Sequence, residues 1–178
     1  MPVVEPSLLV AIGLSALMWV VAALAVGWWM ARRPAAAFAH DGPVTRLRAF
    51  EKAGRADVYE RRLRVSRWKD VLPEAGGLFG ELSKRHLPPG GRDASLERFA
   101  AETRRAERTH WTVLLAGPLA LLWSPLWLAL LGWALAVACN LPFIVVQRSN
   151  RARVERLRRR AQAPGSGSTP GSASESGA

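Results

Sequence analysis

The 178-residue sequence has a single cysteine, Cys139, so no disulfide can form within the chain. It contains no GxGxxG turn, Walker loop, zinc-ligand spacing or GxSxG elbow, so dinucleotide, P-loop, zinc and α/β-hydrolase chemistry have no motif to rest on. No cofactor or metal site is implied, and no internal repeat is present. Acid is scarce: 14 Asp and Glu face 25 Lys and Arg, for a net charge of +11. Such a balance is compatible with nucleic-acid binding, but the basic residues fit no recognisable RNA- or DNA-binding pattern. From residue 8 to residue 31 there is no charge at all.

What is there is uneven. The positive excess falls in two stretches, 31–110 and 147–160, and each adjoins an apolar run. A basic stretch beside a membrane span reads most simply as contact with anionic headgroups. Of the eight tryptophans, all but Trp68 lie within the apolar runs or at their ends. An indole suits an interface, being an apolar body with one N–H that wants a partner.

Residues 8–31 form a run about 36 Å long as helix, enough for a hydrocarbon core of about 30 Å. Ala37-Phe38-Ala39 offers a signal-peptidase site. Against a cleaved signal, the run is too long and is preceded by Glu5 with no Lys or Arg. Arg32 and Arg33 at its end assign that end to the cytoplasm. Ser15 is its one hydroxyl-bearing residue. The second apolar run, 111–146, is broken by Ser124-Pro125, where helix is disfavoured. Arginines flank both sides of the run, so it reads as a hairpin with its tip near Ser124 and both ends cytoplasmic. Whether the hairpin crosses fully or re-enters is open.

The fold class expected is therefore an all-α membrane protein. It has an N-terminal transmembrane helix (1–33), a basic cytoplasmic or interfacial region (34–110) and a membrane helical hairpin (111–146). A basic juxtamembrane helix (147–161) and a disordered Gly/Ser tail (162–178) follow. Within the basic region, short helices are expected around 44–54 and 56–69, near the membrane surface. A longer one, with Ser95 as N-cap, should run into the hairpin. Pro73-Glu74-Ala75-Gly76-Gly77 and Pro88-Pro89-Gly90-Gly91 separate them.

A fold-back centred on Ser124-Pro125 sets His110 level with Cys139 and Asn140, Glu107 with Pro142, and Glu102 with Gln147. Ionisable groups at that depth are costly unless they face protein or water, which makes them site candidates. Glu107 and His110 are three apart on a helix, so the carboxylate is in reach to orient the imidazole as a general base. Asn140 or Gln147 is placed to donate to an oxyanion. Arg148 and Arg151, with Lys69 beside Trp68, suit phosphate. Plainer readings stand beside these. His110 next to Trp111 is equally an interface anchor, the arginines a positive-inside stop, and Trp68 a side chain dipping into lipid. Asn140 before Pro142 is equally a group that satisfies freed backbone or joins the two arms. His40 and His86 receive no role.

Three segments in order carry a family resemblance. They are Phe50-Glu51-Lys52-Ala53-Gly54 with Arg67-Trp68-Lys69; Glu102-Thr103-Arg104-Arg105-Ala106-Glu107 with His110-Trp111; and Asn140-Leu141-Pro142 with Val146-Gln147-Arg148-Ser149-Asn150-Arg151 and Arg153. Over roughly residues 8–160 the chain resembles the glycosyl-4,4'-diaponeurosporenoate acyltransferases, small membrane enzymes of bacterial carotenoid biosynthesis. The resemblance implies transfer of a fatty acyl group to a sugar hydroxyl of a glycosylated carotenoid acid. It supplies no catalytic residue. The expected partners are membrane lipids, a lipid-borne hydroxyl acceptor and an acyl donor of the acyl-CoA type, the last inferred from the basic face. The His-x4-Asp acyltransferase signature is missing, since Thr45 stands five residues after His40 and Gly91 five after His86. The alternative function is a non-enzymatic membrane adapter or assembly protein, in which the same residues join helices.

Overall fold

The computed structural model describes residues 3–4, 6–48, 58–72 and 91–162. All regular structure among them is helical. Helix α1 is Leu8–Ala31, α2 Val58–Leu63, α3 Val65–Trp68, α4 Gly91–Leu114 and α5 Leu126–Gln162, with 3-10 turns at Ala35–Phe38, Lys69–Val71 and Gly117–Leu122.

Helix α1 is apolar all round, and most of its large side chains point away from the rest of the protein. A helix of this kind has no solvated face and belongs in lipid. Both α1 and a stretch within α5 are long and apolar enough to cross a membrane, and the chain is membrane-associated on that ground. At the end of α1, Pro34 stops the helix. The Arg32 guanidinium lies 3.6 Å over the Trp28 ring and that of Arg33 4.6 Å over Trp29. These i,i+4 cation–π pairs put charge and indole together where an interface would lie.

Helix α4 runs antiparallel to both α1 and α5. At one end, the N–H groups of Val3 and Val4 donate to Leu122 O, 3.0 and 3.1 Å away. Nearby, Ser15 Oγ meets Ser124 Oγ at 3.2 Å and accepts from Trp123 Nε1 at 3.1 Å. The one hydroxyl of α1 is therefore satisfied by the turn it packs on, as a polar group in apolar surroundings must be. At the other end, Phe38 is buried between the guanidiniums of Arg105 and Arg108, whose centres lie 5.5 and 5.3 Å from its ring. The Arg32-Arg33 end of α1 and the arginine-rich half of α5 thus share one side of the molecule.

The hairpin differs from the expected one in its first arm. Helix α4 ends at Leu114, and the chain crosses to α5 through the 3-10 turn and Ser124-Pro125. The cause is Gly117-Pro118. Pro118 has no N–H for Leu114 O, four residues back, and that carbonyl instead accepts from Trp133 Nε1 at 3.1 Å. Gly117 makes room for the indole: a Cβ there would lie 2.6 Å from Trp133 Cδ1. Gly117→Ala is expected to displace Trp133 and expose Leu114 O, destabilising the fold by about 1–3 kcal/mol. Thermal unfolding in detergent measures this.

Other expectations also shift. Ser95 lies inside α4, which begins at Gly91, and is not its N-cap. Residues 44–48 form a turn and irregular chain in place of the expected helix, because Thr45 closes a tight turn with Gly42. Thr45 Oγ1 accepts from Gly42 N at 2.8 Å, and Thr45 N donates to Gly42 O at 3.2 Å. The helix expected over 56–69 is split at Arg64, which is left-handed at φ 47°. Glu60 stabilises the break by accepting from Ser66 N at 3.0 Å and from its hydroxyl, and those bonds hold the Glu60 carboxyl below its usual range. The rest of the 44–54 segment, the two Pro/Gly breaks apart from Gly91, His86, the first resemblance motif at 50–54 and residues 163–178 of the tail lie outside the described residues.

Candidate functional site

The center of the basic side is a carboxylate with no exposed surface, Glu107 on α4. One oxygen accepts from Arg148 Nη1 at 2.7 Å and from Trp111 Nε1 at 3.4 Å, and the other accepts from Arg151 Nη2. Both arginines come from α5, so this ion pair locks the two long helices in register. The same guanidiniums reach the 41–48 loop. Arg148 donates to Val44 O and Arg46 O, each at 3.1 Å, and to the Tyr59 hydroxyl at 3.3 Å, which brings in α2. Arg151, 2% exposed, donates to Thr45 O. Arg104 holds the loop at Asp41, 2.6 Å away, and Arg108 at Ala37 O and His40 O, at 3.0 and 2.9 Å. A loop that would otherwise have unpaired carbonyls is built onto the helix pair through arginines.

His110 lies one turn further along α4, toward the apolar half. Its Nδ1 is 2.8 Å from Asn140 Oδ1 on α5. Phe143 stacks on the imidazole, with centroids 4.9 Å apart and planes inclined by 16°. Asn140 Nδ2 donates to Ala136 O at 2.8 Å. The carbonyl left free by Pro142 belongs to Ala138, four residues back, so this bond is not the backbone repair that Asn140 offered on sequence.

The candidates from sequence therefore separate. His110 and Asn140 come together. Glu107 hydrogen-bonds neither of them: its oxygens accept from Arg148, Arg151 and Trp111. Arg148 donates to Glu107, to loop carbonyls and to the Tyr59 hydroxyl, and Nη2 of the buried Arg151 donates to Glu107 and Thr45 O, while Nε and Nη1 of Arg151 have no hydrogen-bond partner among the described residues. Gln147 has no side-chain hydrogen bond among the described residues, and it stands two helical turns beyond Asn140, a rise of about 10 Å. Trp68 Nε1 donates to Leu63 O at 2.8 Å, which satisfies the carbonyl freed where α2 ends. Trp68 ends the short-helix pair that Tyr59 connects to Arg148, and Lys69 opens the 3-10 turn that follows it. Glu102 bonds Arg105 at 2.8 Å, and burial raises its carboxyl above the usual range against the pull of that guanidinium.

Sequence reasoning missed the acceptors in the 37–46 loop, Asp41 and Thr45, and the hydroxyl of Tyr59. Asp41, the one acid between residues 6 and 50, was the available signal. Main-chain acceptors leave no trace in side-chain identity.

Among the described residues no group of three or more His, Cys, Asp and Glu side chains is placed to hold a metal. The site consists of a partly buried His–Asn pair next to a basic, carboxylate-centered cluster. An imidazole so placed can take and return a proton at the boundary between apolar and polar surroundings.

No solved structure matches the chain. A protein of Staphylococcus haemolyticus (strain JCSC1435) named glycosyl-4,4'-diaponeurosporenoate acyltransferase is 25% identical over 138 residues, covering 77% of this chain and 78% of its own length. A protein of the same name from Staphylococcus aureus (strain USA300) is 31% identical over 112 residues, covering 62% of this chain and 65% of its own. The family pattern described as glycosyl-4,4'-diaponeurosporenoate acyltransferase matches residues 43–160, a span that holds α2, α4, nearly all of α5 and every residue of the His110 and Glu107 clusters except Asp41 and its neighbours to the N-terminal side. On that match the chain belongs to the glycosyl-4,4'-diaponeurosporenoate acyltransferase family.

Proposed function

We propose that the protein is a membrane acyltransferase of carotenoid biosynthesis, moving a fatty acyl group to a sugar hydroxyl of a glycosylated carotenoid acid. The observation that carries the reading is the family match over 43–160, which contains both halves of the His110–Asn140 pair. The Lys and Arg excess supports a cytoplasmic basic side, and the length and apolar character of α1 and α5 support their crossing the bilayer. The acceptor, being lipid-borne, enters laterally from the membrane.

In the proposed reaction His110 takes the proton of the sugar hydroxyl as the oxygen bonds to the acyl carbonyl carbon. Collapse of the tetrahedral adduct breaks the acyl–sulfur bond of a thioester donor of the acyl-CoA type. The proton leaves with the sulfur as a thiol. Glu107, Arg148 and Arg151 build the floor that fixes α4 against α5. Lys69 and the exposed Arg153 face the donor phosphates, a role supported by the charge of this side.

Pigment and lipid extracts from cells with and without the protein, supplied with the glycosylated carotenoid acid and compared by mass spectrometry, test the reading. The acylated product is expected only where the protein is present. Identical extracts, together with capture of a stoichiometric partner, would replace it with the adapter function.

A further inference from the structure

We propose that Asn140 is a positioning residue that sets the tautomer of His110, making Nε2 the nitrogen that handles the proton. This rests on the acyl-transfer reading and deepens it. The backbone carbonyl of Ala136 can only accept, so the amide group 2.8 Å from it is the NH2 of Asn140. That fixes which way the side chain points and turns Oδ1 toward His110, 2.8 Å from Nδ1. An amide oxygen carries no proton, so the hydrogen in this contact belongs to Nδ1. A neutral imidazole has one N–H, and Nε2 is left with the free lone pair.

Phe143 fixes the remaining freedom. It stacks on the imidazole at 4.9 Å and 16°, so the ring plane is set by the residue one turn beyond Asn140 on the same helix. Helix α5 thus controls both the tautomer and the tilt of a base carried by α4. Glu107, the residue that spacing alone would assign to this task, is held by Arg148 and Arg151. With its oxygen on His110 and one N–H on Ala136 O, Asn140 is already engaged as an orienting group before any substrate arrives.

Three variants test the proposal in membranes given palmitoyl-CoA and the glucosylated carotenoid acid, with kcat and KM followed against pH. Asn140→Leu removes the acceptor and frees the tautomer. Mispositioning a base that contributes about 10²–10⁴-fold should lower kcat by up to that factor, with KM little changed. Asn140→Asp keeps an acceptor on Nδ1–H and adds a negative charge that favours the imidazolium. The acidic limb of its kcat profile is expected to move to higher pH by about one unit or more. Should Asn140→Leu fail to fold, the pH profile of Asn140→Asp decides. An unshifted profile, or a KM rise with kcat unchanged in Asn140→Leu, overturns the proposal. His110→Ala separates the two levels. Full activity in that variant removes the base itself, whereas an inactive His110→Ala beside either overturning result removes only the role of Asn140.

Discussion

Glu107→Ala is expected to cost the protein its fold before it affects any chemistry. The carboxylate has no exposed surface, and its oxygens meet Arg148 and Arg151, which are themselves largely withdrawn from water. Removing the acid leaves two guanidiniums in a poorly solvated site without their counter-charge. Breaking a buried pair from one side costs about 3–5 kcal/mol, because the surviving charge stays buried. The damage spreads, since the same arginines hold Val44 O, Thr45 O and Arg46 O. Thermal unfolding in detergent should show a large drop in midpoint, and the amount of folded protein in membranes should fall with it. Glu107→Gln, which keeps shape and one acceptor, should lose less. An unchanged midpoint in Glu107→Ala would show that the carboxylate does not organise the helix pair.

His110→Ala is expected to do the reverse. The imidazole is only partly buried, and its polar contact is one neutral bond to Asn140. A neutral hydrogen bond contributes about 0.5–1.5 kcal/mol net, so folding should be little disturbed. Loss of a positioned base lowers rates by about 10²–10⁴-fold. Acylated product, measured by mass spectrometry at equal protein level, should fall to that extent. An unchanged amount would remove His110 from the reaction and leave it as an interface side chain beside Trp111.

Much of the architecture is legible in the residues, for physical reasons. An uncharged run of 24 residues has few options other than a membrane helix. Ser124-Pro125 within the apolar run marks a fold-back, whereas Pro142 is accommodated inside α5, and the fold-back fixes which residues are level. That simple geometry carried His110 to Asn140. The first arm was harder to read. Ser124-Pro125 drew the turn to one point, yet Gly117-Pro118 had already ended α4. Gly117-Pro118 is a second breaker in the same run, and the bond that satisfies the carbonyl it frees, Trp133 Nε1 to Leu114 O, is a long-range pairing that local sequence does not contain. The basic character of the arginines was legible, but the groups they bind were not. Whether a guanidinium meets phosphate or a backbone carbonyl depends on where the 37–46 loop packs, and that loop is shaped by main-chain groups with no sequence signature. Glu107 misled for a related reason. Spacing of three on a helix permits contact with His110, but two arginines on the facing helix compete for the same oxygens and win by charge.

The central claim is a division of labour: Glu107 builds the site and His110 works in it. Turnover per folded molecule, compared between Glu107→Gln and His110→Ala in purified, monodisperse protein, tests this most directly. Folded Glu107→Gln should stay within about 10-fold of the native rate, while folded His110→Ala should fall about 10²–10⁴-fold. A folded Glu107→Gln as inactive as His110→Ala, or a His110→Ala as fast as the native protein, would contradict it.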